Sequence, residues 1–213
     1  MRLAAAVVFS SHHFILCFLP LVTGVHYLLL WRGAGTVLRN LFLVCAGLGF
    51  VASWNPWLVP LMLVTAALDY RLGRIIARAG VQKTRGTMAV GLSAMVNLGA
   101  LAFFTSGLPA MAGTSGHWIV PAGFAFWTLQ NLGYCLDVCQ GRSKPASSFV
   151  DYMAFVSFFP RLIAGPIGRH AEMAESLRDR EASPALAARG VTRFGFGLAK
   201  MILLADPLAD IAD

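Results

Sequence analysis

The amino-acid sequence predicts an all-α integral membrane protein: a multi-spanning helical bundle with a broken or re-entrant element at 151–168. Three observations carry this. Of the 213 residues, 57% are hydrophobic and 13% are charged, about half the ~25% charge of soluble domains. The chain divides into apolar runs near the length that crosses a bilayer, and the connections between them hold most of the lysines and arginines. Finally, residues 151–170, DYMAFVSFFPRLIAGPIGRH, are apolar at both ends yet carry Pro160, Arg161, Gly165 and Pro166 between them.

The chain opens with Arg2 and a short apolar run that has the outline of a signal peptide. Ser10, Ser11, His12 and His13 interrupt it, and no small-residue cleavage site follows. Residues 14–31 then read as the first span, about 27 Å of helix at 1.5 Å per residue. His26 lies inside it, and a hydrogen bond to a neighbouring helix is its expected role, with a functional one as the alternative.

Arg32 and Arg39 flank a turn at 33–37. Residues 40–54 and 57–68 are two apolar runs, each short for a full span, separated by Asn55-Pro56 with Trp54 and Trp57 on either side. Tryptophan belongs at the membrane–water interface, so a tight hairpin at one membrane surface is expected. Residues 69–85 read as the most polar loop of the first half, with Arg71, Arg74, Arg78, Lys83 and Arg85 against the single acid Asp69. The next span is 86–104, with Asn97 inside. An uncharged connection rich in Gly, Ser and Pro, 105–116, leads to a span at 117–136 that contains Pro121, Gln130 and Asn131.

In the central stretch, Pro160 lacks the backbone donor that a continuous helix requires, and Pro166 pushes Gly165 out of the helical region. An arginine at bilayer depth costs at least ~2.5–3.5 kcal/mol unless it snorkels, pairs or faces water. Irregular backbone at that depth survives only when buried in protein or lining a cavity. The expectation is a helix to about Phe159 and a break across 160–166; an interfacial helix followed by an ordinary loop is the plainer alternative. Residues 171–189 are polar and mixed in charge, and Ser183-Pro184 is a good helix start, with serine as cap and proline in the first turn. The last apolar run, 191–205, carries Arg193, Gly197 and Lys200 on one helical face and ends at Asp206-Pro207.

The net charge of +7 reflects loop topology: the basic residues sit beside apolar spans rather than on the basic face that nucleic-acid binding needs. The basic connections around Arg32–Arg39, Arg71–Arg85, Arg142–Lys144 and Arg169–Arg189 are separated by even numbers of crossings, which places them in the cytoplasm. Cys17, Cys45, Cys135 and Cys139 all lie in or beside apolar runs without histidine at ligand spacing. They are read as packing residues, and no metal site is expected.

The residues FVSFFPRLIAGPIGRHAEM resemble the signature of the membrane-bound O-acyltransferase family, in the branch of alginate O-acetyltransferases and the D-alanyl transfer proteins of teichoic acid synthesis. The resemblance rests on Phe158, Phe159, Pro160, Leu162, Ile163, Ala164, Gly165, Pro166 and Arg169, although the residue after Pro160 is usually uncharged in that branch and here is Arg161. Patches elsewhere agree: VFSS with a later Leu-Pro near the start, RNLFLVCAGLGFVASW, then Pro121, Gly123, Phe126, Gln130, Asp137, Val138 and Gly141, and GFGLAKMILLAD near the end.

The resemblance implies that residues 1–213 are the N-terminal part of a larger acyltransferase domain. In the family a histidine after a Trp-Arg-x-Trp-His pattern takes the acceptor proton; none of His12, His13, His26, His117 and His170 stands in that pattern, so no catalytic residue is assigned and the chain is expected to be inactive alone. The implied activity is transfer of an acetyl or similar acyl group across the bacterial inner membrane to a hydroxyl of an exported polysaccharide such as alginate. Nothing is expected to be held as a resident cofactor; the donor would be acetyl-CoA or an acyl-carrier thioester. Gln130, Pro160, Arg161, Gly165 and Pro166 are the candidates for lining the route between the two sides. Alternatively, they only satisfy backbone groups freed by the prolines, and Asp137 and Asp151 read as interfacial. Other readings are a non-enzymatic membrane scaffold, a half-transporter, or a pseudoenzyme partner of an acyltransferase.

Overall fold

The computed structural model describes residues 13–80, 83–104, 123–162, 168–178, 180, 183–205 and 208. The elements in chain order are a π-helical turn Phe14–Phe18, then α1 (Leu19–Trp31), α2 (Thr36–Trp54), α3 (Leu58–Ala79), α4 (Thr84–Ala102), α5 (Phe124–Cys139), α6 (Phe149–Val156), α7 (Phe159–Leu162), α8 (His170–Arg178), α9 (Pro184–Lys200) and a second π-helical turn Met201–Ala205. Among the described residues all regular structure is helical. They fall into two compact units, one of residues 35–178 and the other of residues 13–34 with 180–208.

In the second unit, the stretch Phe14–Trp31 is helical throughout, and it is long and apolar enough to cross a membrane. Gly33, at φ 66°, ends it: the Gly33 amide donates to the Leu30 carbonyl and the Ala34 amide to the Leu29 carbonyl. This is the paired closure that a left-handed residue after a helix permits. His26 Nε2 lies 3.3 Å from Arg180 Nη1, a partner from a distant part of the sequence. The expected cap is present: Ser183 Oγ accepts from the Leu186 amide at 3.4 Å, with Pro184 opening α9.

In the larger unit α2 and α3 are joined by the tight turn expected at Asn55-Pro56, where Asn55 Oδ1 accepts from the Trp57 amide at 3.0 Å. The window Thr36–Ser53 in α2 is the second stretch long and apolar enough to cross a membrane. The expected polar loop at 69–85 is corrected: α3 continues through Asp69 to Ala79. The arginines do not break it because Arg71, Arg74 and Arg78 stand three and four residues apart on one exposed face, whereas Asp69, Leu72, Gly73 and Ile76 form the buried face.

Helices α3, α4 and α5 pack mutually as the centre of this unit, and α6 lies against α2 and α3. Small residues set the closest approaches. A Cβ on Gly73 would stand 2.5 Å from the Tyr134 ring, and one on Gly47 would overlap the Ser157 carbonyl. The central stretch is interrupted, as expected, but three residues earlier than expected. The α6 helix ends at Val156, Ser157 and Phe158 form the break, and Pro160 lies inside the short α7. The proline excludes a continuous helix through the carbonyl four residues before it, which is Val156, yet is tolerated in the first turn of a new helix. Gly165, Pro166, Pro121 and the 105–116 connection lie outside the described residues.

Helix α4 is inverted in polarity. In α4 the exposed residues include Met88 at 70% and Met95 at 73%, with Leu92 and Leu98 also exposed, while Ser93 and Asn97 are fully buried. On this helix polar groups face the interior, among buried side chains such as Trp127 and Tyr134, and large apolar side chains face outward.

Candidate functional site

A chain of buried polar side chains ties four helices together. Asp69 of α3 accepts from Ser93 Oγ at 2.5 Å and from Asn97 Nδ2 at 2.8 Å, both on α4, and more weakly from Cys135 Sγ of α5 at 3.7 Å. Asn97 Nδ2 also donates to the Ser93 carbonyl at 3.0 Å. Asn131 Nδ2 reaches Asn97 Oδ1 at 3.4 Å, and the Tyr152 hydroxyl of α6 donates to Asn131 Oδ1 at 2.8 Å. Burying such groups without partners costs several kcal/mol, so each link fixes the register of the helix that carries it. On the other side of α6, Asp151 accepts from Asn40 Nδ2 of α2 at 2.8 Å, and its amide is capped by Ser148 Oγ.

Beside this chain, at the end of α5, lies a cleft of about 260 Å³. Its walls come from Gln130, Tyr134 and Asp137 of α5, from Arg142 after the helix, and from Gly168, Arg169 and His170 ahead of α8. Local sequence builds it. Gly141 at φ 72° closes α5, with the Gly141 amide on Val138 and the Arg142 amide on the Asp137 carbonyl at 2.8 Å, which folds Arg142 back toward the helix end. Ala146 donates its amide to the Tyr134 hydroxyl at 3.1 Å, holding the returning strand of chain on the Tyr134 ring. Gln130 is buried, and among the described residues its Oε1 has no hydrogen-bond partner.

His170 closes the inner end. Its ring meets Tyr134 and Phe155 edge-on, with centroids 4.9 and 5.2 Å away. Ser143 Oγ lies 3.2 Å from His170 Nδ1 and 3.1 Å from the Lys144 carbonyl oxygen, so it hydrogen-bonds the imidazole and anchors it to the chain after α5. Burial, and secondly the nearby Arg178 guanidinium, push the His170 pKa down to about 4, against a smaller opposing effect of Asp151. The imidazole is neutral at neutral pH.

Of the residues picked out from sequence, the structure places Gln130 in the cleft wall. Arg161 is half-buried behind it, with Nη1 3.5 Å from Met173 Sδ and the guanidinium filling the space that a side chain at Gly168 would need. Pro160 stands next to it in α7 and does not line the cleft. Gly165 and Pro166 lie outside the described residues. All four cysteines are free thiols, Cys135 and Cys139 buried and Cys17 and Cys45 exposed. Sequence reasoning missed Asp69, Tyr152 and His170. For Asp69 a signal existed: with Leu72, Gly73 and Ile76 it completes a helical stripe opposite the arginines.

Comparison with known proteins gives a consistent answer. The chain is 33% identical over 219 residues to the probable alginate O-acetylase AlgI of Azotobacter vinelandii, across 97% of this chain and 43% of that protein. To the probable alginate O-acetylase AlgI of Pseudomonas aeruginosa it is 32% identical, across 97% and 41%. The chain is related to the O-acetyltransferases of the membrane-bound O-acyltransferase type. A more distant relative, the peptidoglycan O-acetyltransferase of Helicobacter pylori, is 29% identical across 96% of this chain and 46% of its own. No family model matches the chain, and no solved structure matches it significantly. This O-acetyltransferase relative thus spans less than half the length of the curated proteins it matches. The similarity covers nearly all of the chain, so the cleft and the polar chain both fall within the shared region.

Proposed function

We propose that this chain forms part of a membrane-embedded O-acetyltransferase that moves an acetyl or similar acyl group to a hydroxyl of an exported polysaccharide such as alginate. The observation that carries the reading is the identity of 33% to an alginate O-acetylase along 97% of the chain. The inverted polarity of α4, with Ser93 and Asn97 inside and Met88 and Met95 outside, supports a multi-pass protein of the bacterial inner membrane: apolar side chains gain nothing by facing water but fit a lipid surface. The donor would be acetyl-CoA or an acyl-carrier thioester arriving from the cytoplasm, and the partners are the bilayer and the polysaccharide.

In this reading the polar interior of the larger unit is one wall of the path between donor and acceptor. Gln130 and Arg161 stand beside it, and the break at Ser157 and Phe158, just ahead of Pro160, is irregular backbone of the kind such a wall tolerates. A sugar hydroxyl needs a positioned base to lose its proton in the transition state, an effect of about 10²–10⁴-fold. No histidine here stands in the Trp-Arg-x-Trp-His pattern, so no catalytic residue is assigned to this chain and it is expected to transfer nothing by itself. The test is a chimera in which this chain replaces the matching segment of the Azotobacter vinelandii alginate O-acetylase. Acetylated alginate from cells carrying the chimera is the expected result. Unacetylated alginate from a chimera present in the membrane at normal levels would overturn the reading and favour a scaffold or partner role.

A further inference from the structure

We propose that the outward stripe of α3 formed by Arg71, Arg74 and Arg78 is a docking site for the phosphate of an anionic phospholipid. The proposal rests on the membrane setting of the proposed function and on nothing in its acyl-transfer chemistry.

The charge on this stripe is uncompensated. Arg71, Arg74 and Arg78 are exposed, and Lys83 and Arg85 follow at the turn into α4, also exposed. From Leu58 to Phe104 the sequence has a single acid, Asp69. Its carboxylate faces the other way: it is fully buried and accepts from Ser93 and Asn97. Among the described residues the side chains of Arg71, Arg78, Lys83 and Arg85 make no hydrogen bond or ion pair. Arg74 has a tyrosine for company. Its guanidinium carbon lies 5.7 Å from the centre of the Tyr70 ring, with Nη1 3.4 Å from the hydroxyl. Tyr70 is itself braced against Phe149 and Tyr152 of α6, with ring centroids 5.6 and 6.1 Å away. The contact holds Arg74 in place without neutralising it. Like charges a helical turn apart repel, so an anion laid across the stripe stabilises it.

What shares the stripe decides the occupant. Val64, Arg71, Ile75 and Arg78 fall on one helical face, and Val64 and Ile75 are 67% and 48% exposed. The face therefore runs from aliphatic to basic along the helix, with Ile75 among the arginines. On α4 the exposed Arg85 is one turn from the exposed Met88. A phospholipid meets both parts. Its chains cover the aliphatic residues, and its phosphate meets the cations, which guanidinium forks bind bidentately. The arginine stems lie along apolar surface while their heads reach the phosphate level. Arg71 and Arg78 are two turns apart, about 10 Å, so all three guanidiniums fall within one headgroup layer. Basic side chains next to spanning helices recognise anionic headgroups in this way. An acidic protein would match the cations and leave Val64, Ile75 and Met88 without a partner.

The test uses the full chain in neutral micelles containing phosphatidylcholine, titrated with phosphatidylglycerol, with bound lipid counted by mass spectrometry of the intact protein. Saturable binding of phosphatidylglycerol in excess of phosphatidylcholine is expected. Arg71→Gln, Arg74→Gln and Arg78→Gln should each weaken it about fivefold, and the triple variant on the order of a hundredfold. All three side chains are exposed, so unfolding of each single variant in phosphatidylcholine alone should match the wild type. The control removes the same charge elsewhere: Arg189→Gln, Arg193→Gln and Lys200→Gln together, all exposed on α9, should leave the binding within about twofold of the wild type. Phosphatidylglycerol bound no better than phosphatidylcholine, single variants that bind as the wild type does, or equal losses in the two triple variants would each overturn the proposal. Displacement of the lipid by soluble poly-glutamate at equal charge would assign the face to an acidic protein and overturn it as well. Acetylation of alginate by the chimera is read without reference to lipid binding, so the two readings fail separately.

Discussion

The Tyr152 hydroxyl donates to Asn131 Oδ1 at 2.8 Å, joining α6 to α5 at a point where both residues are fully buried. It is the last link of a chain that begins at Asp69. A hydrogen bond between helices in a membrane is worth about 0.6 kcal/mol on average and up to about 1.7. Tyr152→Phe and Asn131→Ala are therefore each expected to destabilise, and their double-mutant cycle should show a coupling of about 0.5–2 kcal/mol. Reversible unfolding in mixed micelles measures it. A coupling near zero would show that the link carries no energy.

Gly47 and Gly49 make a matched pair on α2. A Cβ at Gly47 would overlap the Ser157 carbonyl, at the break after α6, whereas a Cβ at Gly49 would meet nothing within 4 Å. Gly47→Ala forces backbone apart and is expected to cost about 1–3 kcal/mol. Gly49→Ala gains helix propensity, about 0.5–1 kcal/mol. The same unfolding assay should move in opposite directions for the two; equal shifts would mean that α2 does not seat the break.

Much of this architecture was legible in the sequence because the governing signals are local. The stretch Phe14–Trp31 shows itself by length and polarity, Ser183 by its capping chemistry, and the turn at Asn55 by its proline and its flanking tryptophans. The error at 69–85 came from counting charges instead of following their period: Arg71, Arg74 and Arg78 mark a face, not a loop. The break at Ser157 was displaced because a proline acts on the carbonyl four residues before it, so its effect appears upstream of its own position. His170 was not legible at all. Its environment comes from Ser143 and Tyr134, and no spacing in the sequence shows that the chain after α5 returns to meet the start of α8.

The buried His170 makes stability depend on pH with a definite sign. Its folded pKa is about 4, set by burial first and by Arg178 second, with Asp151 opposing, against about 6.5 unfolded. Above pH 6.5 both states are neutral and the group contributes no pH dependence. Between 6.5 and about 4 the unfolded chain takes up a proton that the folded chain does not, so stability falls as pH falls, by at most about 1.4 kcal/mol per unit. The wild-type chain is expected to lose stability across this window relative to His170→Phe, which keeps the aromatic contacts and cannot titrate. Parallel curves for the two proteins would place the His170 ring in water instead.

The orientation of the larger unit follows from the length of α3 and from where its charges lie. Leu58–Ala79 comprises 22 residues, about 33 Å of helix, enough to separate its two ends across a bilayer. Trp57 precedes it and is 83% exposed. The other end carries Arg74 and Arg78, with Lys83 and Arg85 following, all of them exposed. Positive charge stays on the cytoplasmic side, and an exposed tryptophan suits the opposite interface. Cysteines introduced at these points report the arrangement once the exposed Cys17 and Cys45 are replaced by alanine. A membrane-impermeant thiol reagent applied to intact cells should label Trp57→Cys and leave Lys83→Cys untouched until the cells are opened. Labelling of Lys83→Cys from outside would invert the unit, and labelling of both from the same side would show that α3 does not cross.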